Sequence, residues 1–309
     1  MNKRILGIGA TLVDELYFCE KAIVAGSSNP AEKTNSVGGV ISNIMQQLSL
    51  FALDYSIITA LGTDGEAEYV KDHFEKVGVP TDEILQSEGA TGKYVSILNS
   101  DGNLFVSVCE DHCSKNISVP FLESKSAFIQ SFDLIVIDTN LASESIQWLI
   151  TFCFQHRIKL IIEPVSVSKA MRLAPLNLNG VYMITPNDEE LLAISNDTTL
   201  TEENALVQGL FERGVANLWV RKGAQGSVWH QQTQAIRLGV PTIQITDSTG
   251  AGDAALAGWI LGWAKQESDL DCMQLGHSLA LEVLQTKGSI KKEMNLENIY
   301  KIKRTYYND

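Results

Sequence analysis

The chain has 309 residues, 45% hydrophobic and 20% charged, enough apolar material for one large α/β domain or two smaller ones. With 24 Lys and Arg against 37 Asp and Glu, the formal net charge of −13 argues against broad binding to nucleic acid or to an anionic membrane. An anionic small molecule stays compatible with that charge if local donors hold it in a pocket, and such a pocket suits a metal.

Lys3 and Arg4 lead into the apolar run 5–13, which mimics a secretory leader until Asp14 and Glu15 end it without a small-residue cleavage site. A buried first strand over 4–9 accounts for the run better, and a cytoplasmic location is expected. No other apolar run reaches bilayer-spanning length. Continuous apolar runs at 55–59, 133–137, 159–162, 180–184 and 217–220 predict further strands buried on both faces. Helical spacing falls between them at 40–51, 66–77, 144–156, 187–194 and 201–213. Strand alternating with helix argues for a doubly wound α/β fold, a mostly parallel central sheet flanked by helices.

Two segments break that alternation. Residues 12–37 lack helical periodicity, and 93–99 and 103–109 read as period-two strands around the turn Ser100-Asp101-Gly102. We read 12–37 and 91–111 as a small β lid projecting from a core made of 1–11, 38–90 and 112–309. The five cysteines (19, 109, 113, 153 and 272) form no disulfide framework. Cys109, Cys113 and His112 lie close enough for a metal reading, but buried thiols in a reducing compartment explain them better.

The strongest local signal is Asp247-Ser-Thr-Gly-Ala-Gly-Asp253 before the apolar stretch 254–263. Glycines opening a helix let backbone N–H groups converge on an anion, and the helix adds partial positive charge there. Asp253 either caps that helix or takes a proton from a hydroxyl beside the anion site. Asn187 and Glu190 stand one turn apart at a predicted helix start, as a capping box or as a pair able to hold metal-bound water near phosphates. Arg221-Lys-Gly-Ala-Gln-Gly226 is a plain hairpin or a nucleotide-phosphate turn. A P-loop and a GxSxG elbow are both missing, and Gly7-Ile-Gly9 lacks the third glycine of a dinucleotide fingerprint.

Taken in order, residues 5–14, Gly38-Gly39-Val-Ile-Ser-Asn43, Asn187xxGlu190, Lys222-Gly223xxGly226 and Asp247xThr249-Gly-Ala-Gly-Asp253 resemble the ribokinase-like family of sugar and nucleoside kinases. The resemblance covers nearly the whole chain. It implies a nucleotide-binding core with a β lid over the substrate, ATP and Mg²⁺ as cofactors, and a sugar or nucleoside acceptor. Within the family, the segments 28–44, 137–140 and 163–169 resemble those of pseudouridine kinases, with ribose, fructose, adenosine or another nucleoside as alternative acceptors and a catalytically silent binder as the other class.

Carried over, the resemblance makes Asp253 the base, with Gly250, Ala251 and Gly252 as the anion hole. Asp14, Gly38, Gly39 and Asn43 would hold ribose hydroxyls, with Asp138 beside them. Asn187 and Glu190 would organise Mg²⁺ and its waters, and Lys222, Gly223 and Gly226 would approach the nucleotide. Asp247 and Thr249, with carbonyls near 283–288, resemble the family's K⁺ site. Two positions depart from the pattern: Leu12 replaces an asparagine, and Glu163 replaces an aspartate, moving a carboxylate by about 1.5 Å. Phe105, Phe121 and Phe128 are read as lid or core packing rather than base stacking. A lid with an exposed face also suits a homodimer formed through it.

Overall fold

The computed structural model describes residues 3–195, 202–291 and 293–307. The chain opens with β1 (Arg4–Ile8), then β2 (Leu12–Cys19) and β3 (Ala31–Gly38), which leave the core and return to it. Helix α1 (Val40–Leu48), β4 (Asp54–Leu61), α2 (Gly65–Val77) and β5 (Ile84–Gln86) follow, then the hairpin β6 (Lys93–Leu98) and β7 (Leu104–Glu110). Short helices α3 (Val119–Ser124) and α4 (Ser126–Ile129) lead to β8 (Leu134–Asp138), α5 (Ser143–His156), β9 (Lys159–Glu163), α6 (Val167–Ala170) and β10 (Met183–Ile184). The last part runs α7 (Asp188–Ser195), α8 (Glu203–Glu212), β11 (Asn217–Arg221), β12 (Ser227–Gln231), β13 (Ala235–Leu238), α9 (Ala251–Ala264), α10 (Asp269–Leu284) and α11 (Leu296–Tyr307).

Nine strands form one sheet in the order β13-β12-β11-β10-β9-β8-β1-β4-β5, parallel except where β12 pairs antiparallel with both neighbours. The continuous apolar runs have the cause expected of them, because both faces of this sheet are covered. One hydrophobic cluster packs α1, α2, α9, α10 and α11 on one face, and a second packs α5, α7 and α8 on the other. This is the predicted doubly wound architecture. The expected strand 180–184 shrinks to Met183–Ile184, because the Val181 amide turns back to the Leu178 carbonyl. Thr201, the start of the expected helix 201–213, lies outside the described residues.

The second sheet, β3-β2-β6-β7, is small and separate. Its two outer pairings are antiparallel and its central pair, β2 with β6, is parallel. Four of the cysteines are buried; Cys109, on β7, is exposed, so the expectation of buried thiols fails there. Phe121 and Phe128 pack against the second cluster, whereas Phe105 is exposed on the small sheet. No helix among the described residues is long and apolar enough to cross a membrane.

Gly258 and Gly262, poor helix formers inside α9, have a packing reason. A Cβ on Gly258 would lie 2.5 Å from the Leu275 carbonyl oxygen of α10, and one on Gly262 would lie 2.9 Å from the Cys272 Cα. The glycines let the two backbones touch, which fixes the helix that begins at the glycine motif. Gly258→Val is therefore expected to destabilise the fold by about 1–3 kcal/mol through overpacking, read as a lower denaturant midpoint at unchanged slope.

Candidate active site

Helix α9 begins at Gly250, whose φ of 75° suits glycine and whose missing Cβ leaves room for Ser289, 2.5 Å from where it would stand. The Gly252 and Asp253 amides have no acceptor among the described residues, as the first turn of a helix requires, while the Ala251 amide reaches the Ser248 carbonyl at 3.4 Å. Three free or weakly held donors thus converge beside the Asp253 carboxylate. Gly250 is the cap residue, and Asp253 makes no capping bond. Its Oδ2 instead accepts from Asn43 Nδ2 of α1 at 2.8 Å. Ser289 Oγ donates to Asn43 Oδ1 at 3.2 Å, and Gln47 Nε2 donates to the Ser289 carbonyl at 2.8 Å, so the amide of Asn43 is oriented from behind. Burial pushes the Asp253 carboxyl up to about 7, against the opposing effect of the Asn43 hydrogen bond.

A cavity of about 670 Å³ opens in front of Asp253. Its floor carries Glu163, Arg221, Asn187 and Glu190, and its far wall is apolar, with Val240, Ile243 and Leu284. Asn187 and Glu190 form the reciprocal capping box: the Asn187 amide donates to Glu190 Oε2 at 3.0 Å, and the Glu190 amide donates to Asn187 Oδ1 at 2.8 Å. Glu190 is nonetheless buried at the cavity, and burial raises its pKa. Gly223 faces the cavity with nothing near its missing side chain, while Gly226 is pressed against the Leu238 carbonyl of β13. Lys222 does not line the cavity. Its ammonium pairs with Asp188 at 2.5 Å and with Glu203.

Arg221, weighed beside Lys222 in the sequence but not carried over as a site residue, holds this site together. Its Nη1 donates to the Gly252 carbonyl at 2.8 Å, its Nε donates to the Thr185 carbonyl at 3.2 Å, and its Nη2 pairs with buried Glu163. A guanidinium meets all three partners because its donors are fixed in a fork. No periodicity signals such a role; only the meeting of β9, β11 and α9 does.

On the other side of Asp253 lies the small sheet. Asp14 on β2 is half-buried, and its carboxylate has no donor among the described residues; burial pushes it up to about 7. Gly38 faces it so closely that a Cβ would lie 2.0 Å from Asp14 Oδ2, and Gly39 then caps α1, the helix that carries Asn43. Asp138 is fully buried. Its Oδ2 accepts from the Ala10 amide at 3.1 Å and its Oδ1 from the Asn140 amide at 2.9 Å, so it shapes two loops and faces no open space. Asp247 accepts from the Thr249 amide at 2.9 Å and the Gly288 amide at 3.0 Å, tying the turn before α9 to the segment after α10, while Thr249 is exposed. Among the described residues no three His, Cys, Asp or Glu side chains cluster to hold a metal.

The model of the pfkB family of carbohydrate kinases matches residues 2–295. Pseudouridine kinase of Escherichia coli K12 is 26% identical over 269 residues, 84% of this chain and 85% of that protein. Guanosine-inosine kinase of Exiguobacterium acetylicum is 23% identical over 301 residues, 95% and 98% of the two chains. The structure of Arabidopsis thaliana ribokinase complexed with ribose and ATP aligns with a TM-score of 0.83 at 18% identity, covering 98% of this chain and 99% of that one, a likeness of fold.

Proposed function

The chain belongs to the pfkB family of carbohydrate kinases, and from that premise we propose that it transfers the γ-phosphoryl group of ATP to the 5′-hydroxyl of pseudouridine. The observation that carries the chemistry is Asp253, half-buried at the cavity edge and held by Asn43 beside the free amides of α9. Asp253 takes the hydroxyl proton as the O5′–Pγ bond forms and the bond from Pγ to the β-phosphate oxygen breaks. The amides of Gly252 and Asp253 stabilise the charge that develops on the transferring group. Asp14 accepts from a ribose hydroxyl, beside the backbone at Gly38 and Gly39. ATP lies along the cavity, its phosphates toward α9 and Gly223 and its base against the apolar wall.

Glu190 and Asn187, whose side chains line the cavity, would hold a magnesium ion through water. Bound there, it would neutralise phosphate charge. A K⁺ ion would sit against Asp247 and the carbonyls of 283–288 and brace the turn at Gly250. Replacing choline chloride by KCl is expected to raise kcat, and an equal rate in both salts removes the cation from this reading.

The acceptor assignment is supported by the likeness to E. coli pseudouridine kinase along 84% of the chain. The likeness to guanosine-inosine kinase along 95% favours a purine nucleoside as the second reading. ADP release with pseudouridine, uridine, inosine, adenosine, ribose and fructose separates them. Robust turnover of pseudouridine alone supports the first, a purine nucleoside winning replaces it, and turnover of none favours a silent binder.

The base must be ionised to act, so activity should be lost as pH falls through the Asp253 pKa. We expect kcat/KM to rise with pH up to about 7 and level off above it. Asp14 titrates in the same range, so the acid limb should be steeper than a single proton gives. A profile flat from pH 5.5 to 8.5 would count against Asp253 as base.

A further inference from the structure

We infer that Glu66 and Lys93 form a positioning pair that sets the tilt of the small sheet and so places Asp14 for the acceptor. This rests on the reading of Asp14 as a ligand of the acceptor's hydroxyls and adds the residues that aim it. Asp14 and Glu15 are neighbours on β2, so they point to opposite faces of the small sheet. Glu15 is buried, and a carboxylate so placed needs cations. The register supplies them: Val13 pairs with Lys93 and Tyr17 with Lys33, which puts both lysines diagonal to Glu15 on its own face. Glu15 Oε1 meets Lys33 Nζ at 2.8 Å and Lys93 Nζ at 3.5 Å, and Glu15 Oε2 accepts from the Tyr17 hydroxyl at 3.0 Å.

Lys93 also reaches out of the sheet. Its Nζ pairs at 2.5 Å with Oε1 of Glu66, in the first turn of α2. Two residues before Glu66, Asp64 caps the same helix, accepting from the Ala67 amide at 3.1 Å. The Asp64 carboxylate also accepts from the Thr91 amide at 2.8 Å and from the Thr91 hydroxyl at 2.6 Å. The start of α2 therefore grips the strand entering the small sheet at two points, Thr91 and Lys93.

The two grips differ in kind. Thr91 is fully buried, and its hydroxyl accepts from the Gly62 amide at 3.1 Å, so that point is fixed. The Lys93 and Glu66 side chains are 28% and 34% exposed, which makes the second grip the adjustable one. Between them the Gly92 carbonyl accepts from the Val13 amide at 2.9 Å, and the missing Cβ of Gly92 makes room for Leu12. A pivot at Thr91 with a tether two residues beyond it governs how β6 lies over the core. Because β2 pairs with β6 from Val13 to Phe18, Asp14 moves with it.

The test measures kcat and KM for the acceptor that wild type phosphorylates, and KM for ATP, in Glu66→Gln, Lys93→Met and the double variant. A tether that only aims a binding group alters ground-state and transition-state binding alike. Glu66→Gln is thus expected to raise acceptor KM about threefold, the scale of a partly exposed pair, with kcat and the KM for ATP within about 1.5-fold of wild type. The double variant should match Lys93→Met, because Glu66 has no further part once its partner is gone. Added choline chloride at fixed KCl should raise acceptor KM in wild type but not in Glu66→Gln, since salt screens the pair. Single effects that multiply, or a lower denaturant midpoint with acceptor KM unchanged, overturn the proposal. If no acceptor is phosphorylated, the kinase reading falls and hydrogen exchange tests the tether on its own. The Val13 amide should then exchange about threefold faster in Glu66→Gln than in wild type with β8 unchanged, and an equal rate overturns the tether.

Discussion

Replacing Asp253 by asparagine is expected to lower kcat by about 10²–10⁴-fold, the usual worth of a positioned general base, with little change in stability. Asparagine keeps the shape of the side chain and, through its carbonyl oxygen, the acceptor for Asn43 Nδ2. What it lacks is a basic carboxylate. A helix-capping aspartate would behave in the opposite way, costing about 1 kcal/mol of stability on replacement and sparing the rate. The geometry separates these roles, because Gly250 occupies the cap position and Asp253 bonds to another helix. Turnover with saturating acceptor, ATP affinity by titration calorimetry and the thermal midpoint together decide the matter. A variant retaining more than a tenth of wild-type kcat would sink the assignment.

Most of the fold was legible because parallel strands covered on both faces have to be continuous apolar runs. The runs at 133–137 and 159–162 became β8 and β9 within one residue at each end. The run at 180–184 overstated β10, since apolar residues alone do not show that the chain is still turning at Val181. The glycine motif marked the start of α9 because crowded amides need glycines whatever surrounds them. Legibility failed where a role is set by a meeting of distant segments. Asp138 followed the family pattern as a substrate residue, yet it is fully buried and both its oxygens accept from backbone amides. Lys222 carried the same charge as its neighbour Arg221, but β11 ends at Arg221 and the two side chains go in different directions: one to Asp188 and Glu203, the other to Glu163 and Gly252.

Arg221→Met is expected to damage both rate and stability, and the two losses should be separable. Removing the guanidinium leaves Glu163 buried without its partner, and breaking a buried pair in this way costs about 3–5 kcal/mol. The side chains are only 16% and 7% exposed, so solvent offers little relief. Adding Glu163→Gln removes the stranded charge and should recover part of the midpoint. It should not recover the rate, because the bond from Nη1 to the Gly252 carbonyl, which anchors the anion-binding turn, is still gone. Arg221→Lys should fall between wild type and methionine: an ammonium keeps the charge but cannot span Gly252, Thr185 and Glu163 from fixed positions. Denaturant midpoints and kcat on the four proteins check this. If the double variant regained both rate and stability, Arg221 would serve only to neutralise Glu163, and the anion-binding turn would be held by Ser289 and Asp247 without it.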